Sequence, residues 1–128
     1  GSWCNNKRLR VSKRHDLTNC LIGTGIPFGN RVYKNFYIEL DNISKNSAGV
    51  RRLGAAALDL AYVSSGKLDG FWERDLNLWD ISSGILLVKE AGGKITEPNG
   101  KKWTTNSRDV VVSNSLIHNK LIENLTLL

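Results

Sequence analysis

The sequence predicts an α/β domain in which a mostly parallel mixed sheet is flanked by helices. Two observations support this prediction. Short apolar, β-prone runs alternate along the chain with longer segments whose apolar residues recur at helical spacing, and this alternation is typical of layered α/β folds. The 128 residues, 41% of them hydrophobic, are enough for one domain with one core.

The first part of the chain predicts two strands and then a helix. Residues 8–12 alternate apolar and polar side chains as a strand does, but no partner strand precedes them, so we expect earlier sequence to be missing. A short apolar run at 19–24 predicts a buried strand that a glycine-containing loop follows. Apolar residues then recur every three or four positions from 30 to 47, which predicts an amphipathic helix.

The central part repeats the strand–helix order twice. Residues 50–53 predict a strand, and the compact, small-residue segment 55–63 predicts the helix after it. Residues 68–72 predict the next strand. A helix then begins at Asp80, a residue type that favours the N-cap, and ends near Ala91 before two glycines.

The last part predicts a hairpin, a strand and a terminal helix. Residues 94–96 and 102–105 flank a Pro-Asn-Gly turn, which is typical of a hairpin. The three valines at 110–112 favour a strand. Apolar residues from 116 to 125 have helical spacing, with Ser113 or Ser115 as the expected cap.

Composition limits the classes of function. Eighteen Lys and Arg against twelve Asp and Glu give a net charge of +6, which suits phosphorylated metabolites or nucleic acid, or simply forms a solvated surface. No nucleic-acid-binding motif accompanies the charge. No apolar run approaches the ~18 residues of a membrane span, and no signal peptide is evident. We therefore expect a soluble, cytoplasmic protein without membrane contact.

The cysteines and histidines do not form a metal site. Cys4 and Cys20 are too far apart in sequence for a zinc motif. One disulfide is possible, but buried free thiols fit a reducing compartment better. His15 and His118 are isolated, and we expect both at the surface.

The segment between Glu73 and Asp80 is the candidate functional site. Glu73 closes a predicted strand and Asp80 opens a predicted helix, and loops at the carboxyl ends of strands bind ligands in open α/β sheets. A carboxylate beside the free N–H groups of a helix start can hold a hard cation while the amides hold an anion. The alternative is that Asp80 is only a helix cap and Glu73 only a surface acid.

Four motifs favour the functional interpretation. The segments are DLAYVSSGKLDGFWE at 59–73, WDISSGILLVKEAGG at 79–93, RRLGAAALD at 51–59 and GTGIPF at 23–28. In order and spacing they resemble the C-terminal part of the inositol monophosphatase family, especially bacterial members of the extragenic-suppressor type. The resemblance extends over essentially the whole chain.

The resemblance implies a role for each matching residue. Asp80 corresponds to the catalytic aspartate that binds one of the Mg²⁺ ions. Glu73 corresponds to the glutamate that binds hydroxyls of the inositol ring. The Gly54-Ala55-Ala56 segment lies along the substrate in the family, although Ala55 replaces a more usual Ser or Thr. Arg51 is either on the substrate side or part of a subunit interface or of the sheet.

The resemblance also implies what lies outside this sequence. The family's Gly-Glu and Asp-Pro-x-Asp-Gly-Thr motifs, which supply the other metal ligands, are not found. We therefore expect residues 1–128 to form the C-terminal domain of the two-domain sugar phosphatase (αβαβα) fold, without the N-terminal metal-binding domain.

The implied activity belongs to the intact protein. It is Mg²⁺-dependent hydrolysis of inositol 1-phosphate or of another sugar or nucleotide phosphate that the family hydrolyses, and the 128 residues alone are expected to be inactive. The alternative is an RNA-binding or transcription-factor-binding module of the extragenic-suppressor type. Family members commonly form homodimers, so a homodimer is also expected.

Overall fold

A computed structural model describes residues 1–25 and 35–125, except for the side chains of Leu78 and Asp80. These residues form seven strands, four α-helices and a short 3₁₀ turn at Leu17–Asn19. In chain order the strands and helices are β1 (Trp3–Cys4), β2 (Lys7–Arg8), β3 (Leu21–Thr24), α1 (Phe36–Asn46), β4 (Gly49–Arg51), α2 (Ala56–Ser64), β5 (Gly70–Glu73), α3 (Leu78–Glu90), β6 (Lys94–Thr96), β7 (Val110–Ser113) and α4 (His118–Leu125).

The five longer strands form one mixed sheet in the order β4-β3-β5-β7-β6. Strand β3 pairs in parallel with β4 and with β5, whereas β7 is antiparallel to both of its neighbours. Four strands therefore run in one direction and β7 runs in the other. This confirms the predicted mostly parallel mixed sheet with flanking helices.

Each face of the sheet buries one cluster of apolar side chains. Helices α1 and α4 cover one face, where Phe36 and Leu121 pack with Trp72 of β5. Helices α2 and α3 cover the other face, where Leu60 and Val88 pack in the cluster that contains Phe71. Neighbouring residues of β5 thus point to opposite faces, as the two-residue period of a strand requires.

The predicted strand at 8–12 is wrong. Strand β2 contains only Lys7–Arg8, and it pairs antiparallel with Trp3–Cys4 in a separate two-stranded hairpin. Asn5 and Asn6 form the turn with φ values of 49° and 65°, a region that asparagine tolerates better than most residues. A partner therefore precedes β2, contrary to the expectation.

The predicted N-cap at Asp80 is also wrong. Helix α3 begins at Leu78, and the side chain of Asn77 accepts a hydrogen bond from the backbone N–H of Trp79 at 3.1 Å. Asparagine is as good a cap as aspartate, so the helix starts two residues earlier than predicted. Asp80 is the third residue of the helix.

The C-terminal third departs from the prediction in its pairing and capping. Strand β6 pairs with β7, and the 102–105 segment contributes one bridge, between Lys102 and Thr96. The turn into α4 is held by Asn114, whose Oδ1 accepts from the N–H groups of two following residues at 3.1 and 3.2 Å. The hydroxyl of Ser113 accepts from the N–H of Ser115 at 3.1 Å and lies beside His118, and the hydroxyl of Ser115 donates to a backbone carbonyl. Asn114, rather than either serine, therefore bonds the N–H groups next to the helix start.

His118 is buried, contrary to the surface position expected for it. It is 1% exposed, and its Nδ1 and Nε2 lie 2.7 and 2.8 Å from the hydroxyl oxygens of Ser113 and Thr96. Burial, and secondarily the charge of Lys94, lowers the pKa of His118 to about 4. It is a neutral residue inside the fold.

The two cysteines are free thiols, as expected, but only Cys20 is buried. Part of the predicted 30–47 helix, residues 30–34, lies outside the described residues. Within the described ranges, no helix has the length and apolar character needed to cross a membrane.

Candidate functional site

The carboxyl ends of β4, β3 and β5 lie side by side at one edge of the sheet, because these three neighbouring strands are parallel. Arg51 ends β4 and Glu73 ends β5. The starts of α2 and α3 follow these strands in the chain. The topology therefore gathers all of the predicted site residues at this edge.

In the part of the chain that the structure describes, the N-cap residue makes no side-chain hydrogen bond to the start of α2. Ala55 is the N-cap residue, in an extended conformation and without a capping hydrogen bond. Gly54 is exposed at φ +86°, and a Cβ there would meet nothing within 4 Å. The open helix start and the bare backbone at Gly54 leave space and N–H donors for an anion.

Arg51 is exposed, and its Nη1 donates a hydrogen bond to the carbonyl of Val50 at 3.1 Å. A Cβ on Gly49 would lie 2.9 Å from the same Nη1. The guanidinium therefore folds back along its own strand toward Gly49, which fits a role in the sheet edge.

Glu73 lies against the backbone that follows β3. Its carboxyl group covers Gly25 so closely that a Cβ at position 25 would collide with Oε1. A side chain at position 25 would therefore force the carboxyl group of Glu73 to move. The side chain is half-buried, so the backbone of Gly25 limits where this carboxylate can point.

Asp59 is a carboxyl group of this region that the sequence analysis did not select. It lies on α2, is 1% exposed, and its Oδ1 makes no hydrogen bond in the described structure. Burial, together with the negative charge of Glu73, raises the pKa of Asp59 to about 7. A signal was present in the sequence: Asp59 is the one acid in the otherwise apolar helix 56–63.

A buried ion pair holds the loop that follows Glu73. The guanidinium of Arg74 bonds to the carboxylate of Glu39, which is fully buried on α1, and reaches Asp109 at 3.2 Å. Asp109 also accepts from the backbone N–H of Asp75 at 2.9 Å. Burial raises the pKa of Glu39, although Arg74 opposes that shift. The network ties α1, the loop after β5 and the start of β7 together.

The described residues do not form a complete metal site. They contain no group of three or more His, Cys, Asp or Glu side chains that could hold an ion. A hard cation such as Mg²⁺ needs several oxygen ligands. Asp80 lies in the first turn of α3 at the correct edge, and its side chain is outside the description. The described residues alone therefore do not supply enough ligands to bind a metal ion.

Comparisons with known proteins agree with this geometry. The sequence profile described as "Inositol monophosphatase family" matches residues 1–127. The inositol-1-monophosphatase of Mesorhizobium japonicum is 44% identical over 124 residues, which are 96% of this chain and 47% of that protein. The putative Nus factor SuhB of Neisseria meningitidis serogroup B is 44% identical over 115 residues, or 89% of this chain and 44% of that protein.

A solved structure supports the same assignment. The extragenic suppressor protein suhB from Bartonella henselae superimposes with a TM-score of 0.90 at 43% identity, over 95% of this chain and 48% of that one. The chain thus spans about half the length of the curated relatives it matches. With the profile match extending from residue 1 to residue 127, this chain belongs to the inositol monophosphatase family.

Proposed function

We propose that this chain is the C-terminal half of a Mg²⁺-dependent phosphomonoesterase that acts on inositol 1-phosphate or a related sugar phosphate. The observation that supports this proposal most is the common edge where Glu73, the open start of α2 and the first turn of α3 meet. A carboxylate for hydroxyl groups and free N–H groups for an anion are the two contacts that a polyol phosphate needs.

Each predicted residue has a place in this proposal. Glu73 accepts hydrogen bonds from ring hydroxyls, and the Gly54-Ala55-Ala56 backbone borders the substrate. Asp80 is the catalytic residue of this half and supplies one ligand to Mg²⁺. Arg51 borders the substrate side or a subunit contact. When bound, the metal would supply charge stabilisation for phosphate chemistry.

The remaining metal ligands belong, in this proposal, to an N-terminal domain that packs on the same edge. The side chain of Trp79 is 86% exposed beside Asp80 in the first turn of α3. A covering domain would bury Trp79 and add carboxylates next to Asp80.

Phosphate release tests the proposal directly. The 128-residue chain and a protein of the full family length that contains it are assayed with inositol 1-phosphate, with and without Mg²⁺. We expect hydrolysis only by the longer protein and only with Mg²⁺, and loss of activity in Asp80→Asn. Magnesium-dependent turnover by the 128 residues alone would refute the division of the site between two domains.

A second candidate function is binding to RNA or to the transcription machinery. It is favoured by the relatives named Nus factor SuhB and by the net charge of +6. A pull-down with RNA across a salt series tests it, because phosphate contacts weaken steeply as salt rises. Absence of binding at low salt contradicts it. A homodimer and a cytoplasmic location remain predictions.

A further inference from the structure

Asp59 is a buried carboxyl group to which the proposed function assigns no task. It is 1% exposed on α2, and its Oδ1 has no hydrogen-bond partner in the described part of the chain. A buried acceptor without a partner costs about 1–3 kcal/mol. Such groups are rare in native proteins, so each one calls for an explanation.

Two glycines place Asp59 beside Glu73. A Cβ on Gly23 would lie 2.5 Å from Oδ1 of Asp59, and a Cβ on Gly25 would collide with Oε1 of Glu73. Gly23 lies in β3 and Gly25 follows its last residue, and the negative charge of Glu73 acts on Asp59. The two carboxyl groups therefore occupy neighbouring positions at the end of β3, in space that side chains at 23 and 25 would otherwise fill.

The two carboxyl groups differ in their access to solvent. Glu73 is half-buried at the open edge, whereas Asp59 is enclosed behind it. Two neighbouring carboxyl groups do not ionise independently, and the better solvated one keeps its charge more easily. The resulting pair has one anion at the edge and one proton behind it. An anionic carboxylate only accepts hydrogen bonds, which suits the hydroxyl donors of a polyol.

We propose that Asp59 is a positioning residue that holds the carboxylate of Glu73 in place to accept hydrogen bonds from substrate hydroxyls. Asp59 does not touch the substrate, because it is enclosed by the sheet and α2. The inference rests on the proposed function, since it requires Glu73 to be the polyol contact. Two tests follow. One examines the interaction between Asp59 and Glu73, and the other examines hydrolysis of a polyol phosphate, so the two claims can fail separately.

The first test uses the 128-residue chain and needs no catalysis. The side-chain carboxyl carbons of Asp59 and Glu73 are followed by ¹³C NMR during a pH titration. We expect the Glu73 carbon to respond to two titration steps, one of which disappears in Asp59→Asn. An unchanged Glu73 titration in that variant would overturn the pair.

The second test uses a protein of full family length and two esters, inositol 1-phosphate and phenyl phosphate, which has no ring hydroxyls. Asp59→Leu, which fills the space without a polar atom, is expected to raise KM for inositol 1-phosphate about three- to tenfold with kcat within about twofold, and to leave both constants for phenyl phosphate unchanged. Asp59→Asn, which is neutral and has the shape and a donor of the protonated acid, should keep both KM values. The split between the two esters is a result that a general loss of stability cannot produce.

Asp69→Asn is the matched control. Asp69 is also 1% exposed, but it is bonded to Ser12, to Arg14 at 3.1 Å and to the N–H of Leu21 at 2.8 Å, at the opposite end of β5. Its loss should lower Tm without changing the KM ratio of the two esters. If Asp59→Leu behaves like this control, the positioning role is refuted. If the unmodified protein hydrolyses neither ester, the proposed function fails, and the NMR test alone decides on the pair.

Discussion

The buried ion pair between Arg74 and Glu39 leads to the most quantitative prediction. In Arg74→Met the methionine keeps most of the apolar stem and removes the charge. Glu39 is fully buried, so the change leaves a carboxylate without its partner in a region closed to water. Breaking such a pair costs about 3–5 kcal/mol. The second pair, from Arg74 to Asp109, adds less than about 1 kcal/mol, because the side chain of Asp109 is 39% exposed and solvent screens it.

This loss is a large share of the stability of a domain of this size. Small domains unfold with about 5–15 kcal/mol. At about 2 cal/mol/K of unfolding entropy per residue, a loss of 3–5 kcal/mol lowers Tm by roughly 10–20 °C. Urea unfolding followed by tryptophan fluorescence measures the change, since the fully buried Trp72 reports on the core.

A double substitution separates the lost pair from lost packing. In Arg74→Met/Glu39→Leu no buried charge remains, and we expect most of the stability to return. In the single Arg74→Met variant the deficit should shrink as the pH falls, because burial already raises the pKa of Glu39 and the folded state takes up its proton before the unfolded state does. A loss below about 1 kcal/mol, or a double variant no more stable than the single one, would refute the reasoning.

Three further predictions follow from other buried groups. The pKa of His118 is about 4 in the folded protein against an ordinary 6.5, so the unfolded chain binds the proton first and His118 removes roughly 3 kcal/mol of stability as the pH falls from about 6.5 to about 4. The raised pKa of Asp59 acts in the opposite direction over this range, so the test is the difference in urea midpoint between the protein and His118→Gln, and a difference that does not change with pH contradicts the prediction. In Gly84→Ala a Cβ would lie 2.5–2.6 Å from side-chain atoms of Leu60. We expect about 1–3 kcal/mol of destabilisation, although alanine has the better helix propensity. An unchanged Tm in thermal melting would contradict this prediction. Cys4 is exposed, whereas Cys20 is buried and burial raises its pKa to about 12. A thiol reagent should therefore modify one cysteine in the folded protein and two in urea. Two fast reactions without denaturant would contradict this prediction.

Much of the fold could be predicted from sequence because it depends on periodic burial. Helices α2 and α3 and strands β5 and β7 each bury a pattern of apolar residues whose spacing is visible in one dimension. The order of strands and helices then favours a mostly parallel sheet. These elements agree with the prediction to within a few residues.

The wrong predictions concern positions where the local sequence does not decide the structure. Asn77 and Asp80 are both good N-caps, and the observed start of α3 at Leu78 selects Asn77. His118 has no neighbouring signal for burial, since Thr96 and Ser113 come to it from β6 and β7. Tertiary contacts decided both cases.

The sequence predicts a candidate site, but not all of the groups that surround it. Glu73 was predicted from its position at the end of a strand and from the motif around it. The sequence analysis did not select Asp59, Glu39 or Arg74. Their burial and ion pairing depend on residues that are distant in sequence. The approach of Gly25 to Glu73 is equally invisible until two strands are paired.

The position of β7 in the sheet has a consequence for how the chain is made. This strand lies between β5 and β6, although both precede it in the chain. During synthesis the hydrogen-bonding edges of β5 and β6 therefore have no partner until residue 113 has left the ribosome. Open edges of this kind pair with other chains and aggregate. The sheet is thus completed only by β7, and a chain released after residue 109 should need a chaperone more than one released after residue 113.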